Sequence, residues 1–147
     1  MNKKHPQINE AKNINEIEKC FSTMQQLRPH LKKELFVSQI QRQIAAGYHL
    51  MYITDDNINN EAASLLGYRT NEYLAWGKIL YIDDFITSPN ARGKGYGSAM
   101  LNWAIEKARD KKCEQIHLDT GTKRHDAHKL YLNKGFKLSS FHMAAKI

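Results

Sequence analysis

Residues 82–101 read IDDFITSPNARGKGYGSAML: an apolar, strand-like run, a Ser-Pro-Asn break, a basic glycine-rich loop, then the first turn of a helix. Glycines lack a Cβ, so consecutive backbone N–H groups can turn inward and approach phosphate oxygens closely. The partial positive charge of a helix N-terminus favours the same ligand. Arg92 and Lys94 add full charges beside Gly93, Gly95 and Gly97. A Walker loop needs GxxxxGK followed by Ser or Thr, and a dinucleotide fingerprint needs GxGxxG. Neither is present. A flexible basic loop that merely caps a helix is the plainer reading of residues 92–97.

Working outward, Ile14, Ile17, Phe21, Met24 and Leu27 recur at helical spacing, so a first helix is expected from Asn13 to Pro29. A second is expected over about Lys33 to Ala46, closed by Gly47. Tyr48 to Thr54 and Glu61 to Tyr68 read as strands joined by a turn at DDNINN. RTNEY then predicts another turn, Leu74 to Trp76 a third extended segment, and Ile79 to Thr87 the next strand. The loop leads into a helix over Gly97 to Lys111, a strand at Gln115 to Asp119, a short helix at Asp126 to Asn133, and one or two closing strands within Phe136 to Ile147. This order predicts an α/β (mixed α+β) fold: a mostly antiparallel twisted sheet of six or seven strands with helices on both faces.

Arg92, Gly95 and Gly97 fill the pattern (Arg or Gln)-x-x-Gly-x-(Gly or Ala), and Ala127, Leu130, Tyr131, Lys134, Gly135 and Phe136 fill A-x-x-L-Y-x-x-K-G-F. Both resemble segments of the GNAT superfamily of N-acetyltransferases, the first its acetyl-CoA pyrophosphate loop, the second its helix and turn after the fifth strand. QLRPHL at Gln26 to Leu31, LDTGTKRHDAHKLY at Leu118 to Tyr131 and SSFHMA at Ser139 to Ala144 further resemble one bacterial group within it, so the resemblance covers nearly the whole chain.

The resemblance implies that backbone groups of Phe85, Ile86 and Thr87 bond the pantetheine arm of acetyl-CoA as a further strand would. It implies that the N–H groups of Gly93, Lys94, Gly95, Tyr96, Gly97 and Ser98 hold the pyrophosphate, with the Arg92 and Lys94 side chains nearby. Tyr131 matches the tyrosine that protonates the departing thiolate, a reasonable task for a phenol of pKa about 10. Where many members carry Asn, this chain has Arg124, a cation that could meet a coenzyme phosphate instead. His128, on the same short helix, is a structural partner or a substrate-side base.

Acetylating an amine requires its neutral form, so a proton acceptor is expected near the thioester. Asp83 and Asp84 are the candidates, and strand alternation lets at most one readily face the reaction centre. The acceptor amine, of a small molecule or a protein, is expected near Leu27, Arg28, His30, Phe36, Tyr68 and Trp76. The chemistry needs no metal.

Composition bounds these expectations. The chain has 147 residues, enough for a single domain spanning 1–147. No stretch approaches the roughly 18 apolar residues of a membrane span, and the N-terminus lacks a signal-peptide pattern, so a cytoplasmic enzyme is expected. Cys20 and Cys113 fit neither a disulfide framework nor a zinc site. Lys and Arg number 22 against 15 Asp and Glu, a net charge of +7 that suits a polyphosphate cofactor and RNA alike. No RNA motif or interleaving of stacking aromatics with basic residues accompanies it, which disfavours a nucleic-acid partner. A non-catalytic acyl-CoA-binding module would keep the glycine loop without needing Tyr131 or the aspartates. A homodimer completed through the C-terminal strand stays open.

Overall fold

Asn13 decides where the first helix begins. In the computed structural model, which describes residues 5–147, its side chain accepts the Glu16 N–H at 3.0 Å, and the Glu16 carboxylate accepts the N–H groups of Asn13 at 3.1 Å and Lys12 at 2.8 Å. This capping box satisfies donors that a helix leaves orphaned, a contribution of about 1 kcal/mol from the cap side chain. The described elements run β1 (Asn9–Glu10), α1 (Ile14–Leu27), α2 (Lys33–Ala45), β2 (His49–Thr54), β3 (Ala62–Tyr73), β4 (Gly77–Thr87), a 3-10 turn at Pro89–Ala91, α3 (Tyr96–Asp110), β5 (Gln115–Leu118) and α4 (His125–Asn133).

The five strands form one sheet in the order β1-β2-β3-β4-β5, with β1, β2, β3 and β4 paired antiparallel in turn and β5 reached through the α3 crossover. Tyr52, Leu65 and Ile86 lie side by side across β2, β3 and β4, and they join Ile17, Cys20 and Met24 of α1 and Phe36 and Ile40 of α2 in one buried cluster. Phe21 and Phe36 meet edge to face at 5.2 Å and lock the two helices together. Side chains alternate along a strand, so Tyr68 lies on the opposite face from Leu65, where it meets Trp103 of α3 with ring centroids 5.7 Å apart. Helices therefore cover both faces, and the sheet core is apolar on each.

Among the described residues the sheet has five strands, not the six or seven expected. RTNEY is no turn: Arg69 to Tyr73 continue β3 against Tyr81 to Gly77, and Leu74–Trp76, expected to be extended, make the turn instead. The polar composition of RTNEY reflects its place on the outer end of a long hairpin. Phe136 to Ile147 form no strand. An extended segment becomes a strand only by bonding to a neighbour, and here Leu138, Phe141, Met143 and Ile147 are exposed. β1 went unforeseen because two residues carry no periodicity to read.

By its contacts the chain divides into two compact units, the first ending at His117 and the second spanning Leu118–Ile147. Among the described residues no helix is long and apolar enough to cross a membrane.

Candidate functional site

A β-bulge builds the centre of the site. Gly67 faces Asp84, but the next residue, Tyr68, faces Ile82, so Asp83 is an extra residue in β4 with no opposite number in β3. A bulge breaks the alternation that would send neighbours to opposite faces. Asp83 and Asp84 consequently line the same cavity, about 440 Å³ in volume, with Tyr81, with Met24 and Arg28 at the end of α1, and with Phe36 and Ile40 of α2. The expectation that only one aspartate could face a common site fails for this reason.

The two carboxylates have different surroundings. Arg28 donates from Nε to Asp84 Oδ1 at 3.0 Å, and Tyr48 donates its hydroxyl to Asp84 Oδ2 at 2.8 Å, so both oxygens of Asp84 are engaged. Arg28 Nη2 also donates to the Asp83 carbonyl at 3.0 Å, tying α1 to the bulge itself. Asp83 has one engaged oxygen, Oδ2, which accepts from Arg69 Nε at 2.9 Å. Its Oδ1 is buried with no hydrogen-bond partner among the described residues. Burial pushes the Asp83 carboxyl above its ordinary range; Arg69 pulls it back in part and the neighbouring Asp84 pushes it further up.

Tyr48 reaches Asp84 because residue 67 is glycine. A Cβ built there would lie 1.8 Å from the Tyr48 hydroxyl oxygen, far inside contact distance. The Arg69 guanidinium lies 5.6 Å from the centre of the Tyr48 ring, so one arginine braces both the tyrosine and Asp83. Burial, reinforced by Asp84, raises the Tyr48 hydroxyl well above its usual range and keeps it a donor. Of the residues expected near an acceptor, Arg28, His30 and Phe36 line the cavity, which Leu31 also joins, whereas Leu27 packs against the core cluster and Tyr68 and Trp76 belong to other aromatic contacts. Tyr48, Gly67 and Arg69 were missed, and only the pairing register reveals them.

Beyond the bulge, Phe85, Ile86 and Thr87 pair with Leu66, Leu65 and Ser64 of β3, and Ser64 Oγ donates to the Ile86 carbonyl at 3.2 Å. β5 begins where the Glu114 N–H meets the Lys78 carbonyl at 2.8 Å and has four residues, so β4 runs on well past it. The glycine loop follows the 3-10 turn. Gly93 and Gly95 hold φ of +78° and +83°, a region that other residues rarely adopt, and a Cβ at either would meet nothing within 4 Å. Backbone conformation rather than crowding demands glycine here, and the space above the loop is open. Gly95 caps α3 without a side-chain hydrogen bond, leaving the first-turn N–H groups, Tyr96, Gly97 and Ser98 included, to the donors' usual deficit.

The side chains of this loop do not all turn toward that space. Lys94 Nζ and the Tyr96 hydroxyl both donate to Asp55 Oδ2, the hydroxyl at 3.0 Å. Lys94, the Asn57 N–H and side chain, and Tyr96 hold the Asp55 carboxyl well below the ordinary range despite the opposing effect of burial. Among the described residues the Arg92 side chain makes only a long contact, 3.4 Å from Nε to the Thr87 carbonyl.

In the second unit, Arg124 stands at the start of α4, and its carbonyl accepts the His128 N–H at 3.0 Å. His128 Nε2 lies 2.8 Å from the Gly121 carbonyl, a local backbone tie that matches a structural role. Tyr131 is buried, with its ring centroid 5.8 Å from that of Phe136. Burial raises its hydroxyl above the usual range and Arg124 opposes the rise. Among the described residues no group of three or more His, Cys, Asp or Glu is placed to hold a metal ion.

A glycine loop that opens α3 between the long β4 and the four-residue β5 is the arrangement expected of an acyl-CoA-dependent transferase. Residues 12–136 match the Acetyltransferase (GNAT) family, and the chain belongs to it. It is an acetyl-CoA-dependent N-acetyltransferase. An N-acetyltransferase of uncharacterised role from Bacillus subtilis, YhdJ, is 28% identical over 122 residues, covering 82% of this chain and 84% of its own. The aminoalkylphosphonate N-acetyltransferase of Salmonella typhimurium is 43% identical over 60 residues, 41% of this chain and 39% of that protein. A transcriptional regulator from Bacillus halodurans has a solved structure that superposes with a TM-score of 0.81 at 26% identity, covering 97% of this chain and all of that one.

Proposed function

We propose that the cavity beneath the bulge receives a small primary amine and that Asp83 is the base that takes its proton. The observation that carries this reading is the buried, unpartnered Asp83 Oδ1 in a cavity whose other carboxylate is already fully bonded. An amine donor would satisfy that oxygen once the carboxyl group turns it toward the cavity on binding, and the raised pKa makes it a better proton acceptor than an ordinary carboxylate. The volume of about 440 Å³ suits a compact molecule better than a folded protein surface. Arg28 is 43% exposed, and its Nη1 makes no hydrogen bond among the described residues, which favours an acceptor that also carries an anionic group. The Salmonella relative is named for acceptors of that kind.

Acetyl-CoA, when bound, supplies the activated acetyl group and the thiolate leaving group. Its pantetheine arm is assigned to the backbone of Phe85, Ile86 and Thr87, and its pyrophosphate to the N–H groups of residues 93–98, with the Arg92 guanidinium nearby. The open space above Gly93 and Gly95 fits a ligand that needs close backbone approach. Asp83 withdraws a proton from the acceptor ammonium, and Arg28 and Tyr48 hold Asp84 so that the bulge keeps its shape. Tyr131 is assigned the return of a proton to sulfur, and Arg124 a coenzyme phosphate. Residues 1–147 are read as one catalytic domain acting in the cytoplasm, with a homodimer testable by sedimentation.

Calorimetric titration with acetyl-CoA tests the cofactor half. Saturable binding is expected for the wild-type protein, and Gly95→Leu, which forces a side chain into the left-handed position and over the loop, is expected to weaken it about a hundredfold while circular dichroism stays unchanged. A folded wild-type protein that takes up no acetyl-CoA defeats the assignment.

A further inference from the structure

The turn between β2 and β3 lends the glycine loop a carboxylate that acetyl transfer itself does not use. Asp55 follows β2 directly, and its side chain is buried while Asp56 and Asn57 beside it are exposed. One oxygen accepts the Asn57 N–H at 3.0 Å and the Asn57 side-chain amide at 2.9 Å. The other accepts Lys94 Nζ and the Tyr96 hydroxyl. The Asp55 carbonyl closes the turn by accepting the Ile58 N–H at 2.8 Å. Lys94 and Tyr96 flank Gly95, the left-handed residue that opens α3, so a single rigid carboxylate grips the loop on both sides of its most permissive point.

Two physical consequences follow. A loop with two glycines at positive φ has much conformational freedom to lose when it closes on a ligand, and anchoring it beforehand removes part of that loss. The Lys94 charge, in turn, is matched at close range by Asp55 and adds little net attraction for an anion in the loop.

We propose that Asp55 is a positioning residue for the cofactor: by holding Lys94 and Tyr96 it keeps the N–H groups around Gly95 in the arrangement that takes the pyrophosphate. This rests on the loop being the cofactor site. The opposite consequence is physically available too, since a loop that needs no anchor would bind the pyrophosphate more tightly once Asp55 is gone and Lys94 is released. The sign of the change therefore decides.

The experiment measures the Kd of acetyl-CoA by calorimetry, together with KM and kcat, for the wild-type protein, Asp55→Ala, Asp55→Asn, Lys94→Met and the double variant Asp55→Ala with Lys94→Met. Asp55→Ala is expected to raise Kd about tenfold, the scale of a lost charge-assisted hydrogen bond, with the loss falling on KM for acetyl-CoA and not on kcat. Asp55→Asn keeps an acceptor oxygen for Tyr96 and is expected to lose less; it carries the test should Asp55→Ala not fold. The double variant is expected to bind no worse than Asp55→Ala, because both changes remove one shared contact. Unchanged or tighter binding by the Asp55 variants, or fully additive losses in the double variant, overturns the proposal. A wild-type protein that does not bind acetyl-CoA removes the cofactor site itself, whereas wild-type binding indifferent to Asp55 removes only this role.

Discussion

Asp83→Asn is expected to lower kcat about a hundredfold while leaving the affinity for acetyl-CoA unchanged, since a positioned base contributes roughly 10² to 10⁴ in rate. Asparagine keeps the size of the side chain and can still accept from Arg69, so the change isolates proton acceptance. The pH profile gives the sign. Burial outweighs Arg69 and raises the Asp83 carboxyl, so its proton is lost above the usual carboxylate range. Only the deprotonated form accepts a proton, so kcat rises with pH through that elevated pKa and levels off above it. The acidic limb is expected to vanish in Asp83→Asn and to survive in Asp84→Asn, whose losses come from releasing Arg28 and Tyr48. A limb that survives in Asp83→Asn and disappears in Asp84→Asn reverses the two assignments.

Gly67→Ala is expected to be the most damaging single-methyl change in the sheet. The new Cβ would stand 1.8 Å from the Tyr48 hydroxyl oxygen and 2.4 Å and 2.6 Å from two ring carbons. Tyr48 is 1% exposed and cannot retreat into solvent. Overpacking of this kind costs about 1–3 kcal/mol, a fall in Tm of about 5 °C for a chain of this size. Moving the tyrosine also strips Asp84 of a 2.8 Å hydrogen bond and Arg69 of the ring beneath it, so activity is expected to fall more than tenfold. Tyr48→Phe is the control: it removes the hydrogen bond without the clash and is expected to lose less of both Tm and kcat. A Gly67→Ala protein with wild-type Tm and wild-type kcat would show that the packing around the bulge does not matter to the site.

What the sequence disclosed and what it hid have physical causes. The glycine loop was legible because the left-handed φ of Gly93 and Gly95 is a local demand that few residues meet, and helix α1 was legible because its buried residues recur at local spacing. The bulge was not, because it exists only in the pairing of β4 with β3, residues that are apart in sequence. Reading Asp83 and Asp84 as strand neighbours gave the wrong facing for that reason. Asp55 reads as part of a polar turn beside Asp56, and its two loop partners, Lys94 and Tyr96, lie about forty positions on. The third extended segment and the closing strands failed for a related reason: apolar or extended composition at Leu74 to Trp76 and Phe136 to Ile147 does not supply a neighbour to bond.

The most direct test of the central claim, a cavity that delivers small amines to Asp83, is the rate of thiol release from acetyl-CoA with each of a panel of acceptors, the acetylated product being identified by mass. The panel should include 2-aminoethylphosphonate, β-alanine, propylamine and putrescine. Amine-dependent release matched one to one by N-acetyl product is expected, with the highest kcat/KM for an acceptor bearing an anionic group, and loss of that release in Asp83→Asn. Tight acetyl-CoA binding with no acetylation of any small amine, or undiminished turnover by Asp83→Asn, would contradict it.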